Sequence, residues 1–206
     1  MKAHSFIYLI IYSCFIMSVS LQAQEHFADR YNVSYITMDD GLPHNFIDDI
    51  YKDTRGFLWI STAGGGLSRY DGYEFIHFNP NTPHSKLKSN FIHNVYEDRF
   101  HRLWIVSEGG TDIIDLSTLQ SVIPNDPKGL LPRFINHPTY IVILDSQGCI
   151  WLQCDNALHR ITFDAEGGID TLSTLDLPEQ DEPDLILKDI DEDGKIWTGI
   201  NGTIYK

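Results

Sequence analysis

Asp53-Thr54-Arg55-Gly56-Phe57-Leu58-Trp59-Ile60-Ser61-Thr62 is the stretch that decides the architecture, because a looser copy returns as Asp98-Arg99-Phe100-His101-Arg102-Leu103-Trp104-Ile105-Val106-Ser107. Two more copies follow around Trp151 and Trp197, so the four tryptophans of the 206-residue chain stand 45, 47 and 46 residues apart. An aspartate precedes each indole by six positions: Asp53, Asp98, Asp145 and Asp191. A glycine precedes it by three at Gly56, Gly148 and Gly194, and His101 takes that place in the second copy. A period of this length with one aromatic per unit marks a propeller or a solenoid array.

Outward from that stretch, the first unit breaks into four short runs rich in aromatic and β-branched residues: Phe46 to Asp53, Phe57 to Thr62, Leu67 to Tyr70 and Tyr73 to Phe78. These are predicted strands. The connections Thr54-Arg55-Gly56, Ala63-Gly64-Gly65-Gly66 and Asp71-Gly72 carry turn chemistry and are short enough to force antiparallel neighbours. The predicted unit is a four-stranded up-and-down sheet, one propeller blade. The tryptophan strands are apolar without alternation, as expected of strands covered on both faces by neighbouring blades. The tryptophans are therefore read as packing between blades, each removing up to roughly 150–250 Å² from water. The aspartate and glycine before each one bracket the first hairpin turn, where a carboxylate can accept bonds from turn amides.

The fold class is all-β, with four blades of four antiparallel strands, the last incomplete. The repeats cover about 45–79, 90–124, 139–176 and 184–206. Residues 31–38 resemble an orphan outermost strand. Because the fourth unit lacks such a strand, a four-bladed ring is one reading, and an open part of a larger ring is the preferred one. Residues 1–23 read as an export signal, with Lys2 at the charged end, Phe6 to Met17 as the apolar stretch and Ala23 at the cleavage region. Residues 24–206 then form the propeller fragment, exported from the cytoplasm.

The formal net charge of −14 becomes one unit more negative once Lys2 is removed. That disfavours nucleic acid and anionic membrane surfaces while leaving neutral sugars unaffected. Cys149 and Cys154 lie on one predicted strand, roughly 16 Å apart, beyond the ~7 Å reach of a disulfide. Asp189, Asp191, Asp193 and Gly194 imitate the opening of a calcium loop, but Ile200 stands where a bidentate glutamate belongs. Gly64-Gly65-Gly66 lacks the lysine and helix of a phosphate loop. The histidines, His44, His84, His93 and His137 among them, form no ligand pair on one strand. No catalytic residue, metal site or cofactor is expected, and no ligand-contact residue can be named.

Gly41-Leu42-Pro43-His44-Asn45, the Asp53 to Thr62 stretch and Gly65-Gly66-Leu67-Ser68-Arg69-Tyr70-Asp71-Gly72 closely resemble the two-component regulator propeller repeat. The resemblance covers about residues 31 to 206 and is loosest in the third and fourth units. It implies an open part of a seven-bladed ring at the front of a periplasmic sensor in which further blades, an inner-membrane segment and a histidine kinase lie downstream, so that any kinase activity resides outside this chain. It implies a glycan-type, oligosaccharide ligand and leaves room for a homodimer. Two other classes stay open: a partner-docking scaffold, and an enzymatic propeller such as a lyase or glycosidase.

Overall fold

The computed structural model describes residues 33–83, 86–154, 157–176, 186–191, 195–200 and 203–205. The export signal predicted for residues 1–23, with Gly194, Asp193 and His84, lies outside them. Within the unit Thr37–Lys206, the described residues form fifteen strands in four antiparallel sheets. The first sheet is β1 (Ile47–Lys52), β2 (Leu58–Thr62), β3 (Gly66–Tyr70) and β4 (Phe75–Phe78), hydrogen-bonded in that order. The second is β5 (Ile92–Glu97), β6 (Arg102–Ser107), β7 (Gly110–Asp115) and the two-residue β8 (Gln120–Ser121). The third is β9 (Thr139–Leu144), β10 (Ile150–Cys154), β11 (Ala157–Phe163) and β12 (Ile169–Asp176). The fourth is three-stranded: β13 (Ile186–Ile190), β14 (Ile196–Ile200) and β15 (Thr203–Tyr205).

The first strands of the sheets pack on one another in turn, β1 on β5, β5 on β9 and β9 on β13, which makes them the innermost strands of successive blades. The blades adhere through apolar faces. Trp59 is fully buried in one cluster with Val95, Leu103 and Ile105 of the second blade. Trp104 is fully buried with Val142, Ile150 and Leu152 of the third. Trp151 and Trp197 are half-buried, so the four indoles do not share one degree of burial. Arg160 lies over the Trp151 ring, 5.8 Å from its centroid.

Two elements differ from the sequence reading. Residues 33–37 adopt no strand, and Met38–Asp40 form a 3-10 turn. The cause is local. Thr37 donates its N–H to Asp40 Oδ2 at 2.8 Å, and its hydroxyl accepts from the Asp39 amide, so a capping box satisfies the backbone without a partner strand. The second is a short helix α1 (Pro132–Ile135) in the long connection between β8 and β9, started by a proline, which has no N–H to lose at a first helical position. It brings Phe134 into the core beside His159, with ring centroids 4.7 Å apart.

The glycine run ends in a blade-to-blade contact as well as a hairpin. The amides of Gly64 and Gly66 both donate to Asn90 O, at 3.0 and 2.9 Å, tying the β2–β3 loop to the segment that leads into β5. Gly66 has φ +85°, and a Cβ there would lie 2.4 Å from Phe78 O, so no larger residue fits.

Candidate functional site: the channel mouth

At one end of the blades each aspartate organises its own hairpin. Asp53 Oδ1 accepts the amides of Arg55 and Phe57 at 3.0 and 2.9 Å, and Oδ2 accepts the Trp59 indole N–H at 2.9 Å. Asp98 repeats this with Phe100, Arg102 and Trp104. Asp145 repeats it with Gln147, Cys149 and Trp151, and Asp191 holds Lys195 and Trp197. Gly56 and Gly148 adopt φ of +94° and +77°, and His101 is forced to +58° in the same place. These residues form a framework: every carboxylate oxygen faces a protein donor. Burial raises the Asp145 carboxyl, but the Cys149 amide, the Trp151 indole and Arg160 outweigh it, and the net shift is downward. The same turn recurs at Asp164-Ala165-Glu166-Gly167-Gly168, where Asp164 Oδ1 accepts from Glu166 and Gly168. The spacing was visible in the sequence, but with no tryptophan six residues on it carried no signal.

At the opposite end, where the β2–β3 and β6–β7 loops lie, the inner strands break register. The β1 ladder skips Asp48, the β5 ladder skips His93 and the β9 ladder skips Tyr140. Each skipped residue stands eleven before its tryptophan. A bulge leaves one residue unpaired, bends the strand and re-aims a side chain. Here it delivers a carboxylate, an imidazole and a phenol from three successive blades to one end of the axis. Asp48 is exposed, Tyr140 is 39% exposed, and the His93 and Tyr140 rings lie 5.5 Å apart. His93 Nε2 is buried and has no hydrogen-bond partner among the described residues. Phe46 and Phe91, just before β1 and β5, add exposed aromatic rings at the same end.

The next residue along holds the blades in place. Asn94 donates Nδ2 to Val142 O and accepts from Val142 N, both at 3.0 Å. Asp49, its counterpart, accepts from Val95 N at a longer 3.4 Å. Burial raises the Asp49 carboxyl above its usual value, more than the Val95 and Ile50 amides lower it. Burial likewise pushes the neighbouring Tyr51 phenol up to about 12.

The mouth can therefore exchange several hydrogen bonds with a polar ligand and offer ring faces to its apolar side. Among the described residues no group of histidines, cysteines and carboxylates could hold a metal ion. Cys149 and Cys154 are both buried, and burial together with Asp145 raises the Cys149 thiol. No described helix is long and apolar enough to cross a membrane.

The two-component regulator propeller family model matches residues 41–64 and 86–109. No curated protein sequence matches the chain. Among solved structures, the extracellular domain of the B. thetaiotaomicron hybrid two-component system BT4673 aligns at 25% identity with a TM-score of 0.60, over 85% of this chain and 25% of its own length. A second structure of that domain aligns at 26% identity and TM-score 0.58, over 79% and 23%. The chain thus spans about a quarter of these relatives. Virginiamycin B lyase from Staphylococcus aureus aligns at 16% identity and TM-score 0.51, over 74% and 48%, a likeness of fold alone. Residues 41–64 and 86–109 are two-component regulator propeller repeats, set in a fold shared with the extracellular domain of a hybrid two-component system.

Proposed function

We propose that this chain is the front part of an extracytoplasmic, ligand-sensing propeller of a two-component receptor, that it recognises a neutral glycan fragment at its channel mouth, and that it performs no chemistry itself. The observation that carries the ligand is the row of bulged residues Asp48, His93 and Tyr140, with Phe46 and Phe91 beside it. Sugar hydroxyls match the mixed donors and acceptors of such a row, and aromatic faces match the C–H side of a pyranose. The acidic chain gives no electrostatic advantage to a polyanion at this mouth. Downstream blades, bringing the ring to seven, would complete the mouth, and a kinase region would read the result through differential binding to two receptor arrangements.

The test is calorimetric titration with cellobiose, xylobiose, mannobiose and maltose against the parent, His93→Ala and Tyr140→Ala. At least one disaccharide should bind, lose roughly tenfold or more in affinity in either variant, and be recovered unaltered. Binding that ignores both substitutions, or no heat with any of the four, refutes the reading. Cleavage products would point to an enzyme instead.

A further inference from the structure

The aspartate turns of the first and third blades share one geometry but neutralise their arginines differently. Arg69 stands opposite Trp59 in the β2–β3 ladder, and Arg160 stands opposite Trp151 in the β10–β11 ladder. Arg160 donates Nε to Asp145 Oδ2 at 3.0 Å and Nη2 to Gln147 Oε1 at 2.6 Å. Gln147 lies four residues before its tryptophan, and the residue in that position of the first blade is Arg55. A second cation thus occupies the place of an acceptor.

Arg69 forgoes the aspartate and lies over Phe57, its guanidinium carbon 4.3 Å from the ring centroid. Arg55 lies over the same ring at 5.3 Å. Among the described residues neither guanidinium makes an ion pair or a hydrogen bond. The second blade differs again: Arg102 donates to Asp98 and to Gly167 O, and Arg99 donates to the carbonyls of Phe163 and Asp164. The second blade also gathers two guanidiniums, Arg99 and Arg102, over one ring, Phe100, at 4.8 and 4.9 Å, but both donate to oxygens, whereas among the described residues neither guanidinium over Phe57 does. Burial, and then the charge of Arg55, lower the pKa of Arg69 by more than the nearby Asp53 and Asp71 carboxylates raise it.

We infer that Arg55, Arg69 and Phe57 form a binding site for a small carboxylate-bearing molecule at the aspartate-turn end of the first blade, opposite the channel mouth. A guanidinium presents parallel N–H donors that match the two oxygens of a carboxylate, and the ring holds both forks in place before the anion arrives. One carboxylate between two guanidiniums relieves their repulsion. The negative charge of the whole chain does not prevent this, because at physiological ionic strength fields are screened beyond about 8 Å while contact pairs are not. The site is independent of the neutral-glycan reading and uses none of its residues.

The experiment is an NMR titration of the chain, following the arginine Nε resonances, with glucuronate, acetate and glucose as probes. Glucuronate and acetate shift Arg55 and Arg69, and glucose does not. Tighter binding of glucuronate identifies a sugar acid, and equal binding identifies the carboxylate alone. Arg55→Gln, which recreates the Arg160–Gln147 pairing, weakens glucuronate at least tenfold while leaving the melting temperature in place, and Arg69→Gln gives the same loss. No response to either anion, an equal response to glucose, or undiminished binding in Arg55→Gln overturns the assignment.

Discussion

Replacing Asp98 by asparagine probes the turn framework most severely. The Asp98 side chain is wholly buried and accepts four hydrogen bonds: Oδ1 from the amides of Phe100 and Arg102 at 2.9 and 3.1 Å, and Oδ2 from Arg102 Nε and Trp104 Nε1 at 2.7 and 2.8 Å. Asparagine keeps one accepting oxygen. Its amide nitrogen must then face two donors, either the turn amides or the guanidinium and indole. Leaving buried donors unmatched costs about 1–3 kcal/mol each, and removing one partner of a buried ion pair costs about 3–5 kcal/mol. The losses overlap, so the expected destabilisation is about 3–5 kcal/mol, a fall in melting temperature of roughly 6–20 °C for a chain of this size. Asp53→Asn is the internal control. Asp53 Oδ2 meets only the Trp59 indole and no guanidinium, so the expected cost is about 1–3 kcal/mol. Urea unfolding followed by tryptophan fluorescence measures both. Equal midpoints for the two variants, or an Asp98→Asn protein within about 1 kcal/mol of the parent, would show that these carboxylates do not hold the blades as reasoned.

Asp49→Asn is expected to stabilise the protein by about 0.5–1.5 kcal/mol at neutral pH, since the amide can donate to Val95 O as Asn94 does to Val142 O and carries no charge to desolvate. Its pH dependence has a definite sign. The folded Asp49 carboxyl titrates above its unfolded value of about 3.9, so its contribution is full below that pH and is lost as pH rises through the folded value. The advantage of the variant therefore grows across that window and is flat above it. Asp145 runs the other way: its contribution is present above the unfolded value and is lost as pH falls through the lowered folded one. His101→Gly should raise the unfolding free energy, measured by urea denaturation, by about 0.5–1 kcal/mol, because glycine takes the φ of +58° without strain, while Glu97 keeps its bonds from Thr54. A fall in stability would mean that the part-buried His101–Glu97 contact outweighs the backbone term.

The blade plan was legible in the sequence because the interactions that set it are local. An aspartate, a positive-φ residue and an indole within seven positions close one hairpin, and a hairpin fixes which face of the next strand meets the neighbouring blade. Of the orphan strand expected over residues 31–38, the described residues 33–37 form none for a related reason: a strand needs a partner, whereas Thr37 and Asp40 satisfy the chain within one turn. Tertiary structure alone decided the mouth. Whether Asp48, His93 and Tyr140 share an end of the axis depends on where three ladders slip by one residue, and a slip of one inverts every side chain beyond it without altering composition or period. It also decided the arginines, since Arg69 and Arg160 occupy the same rung and part company only because one meets a ring and another cation where the other meets a carboxylate and an amide.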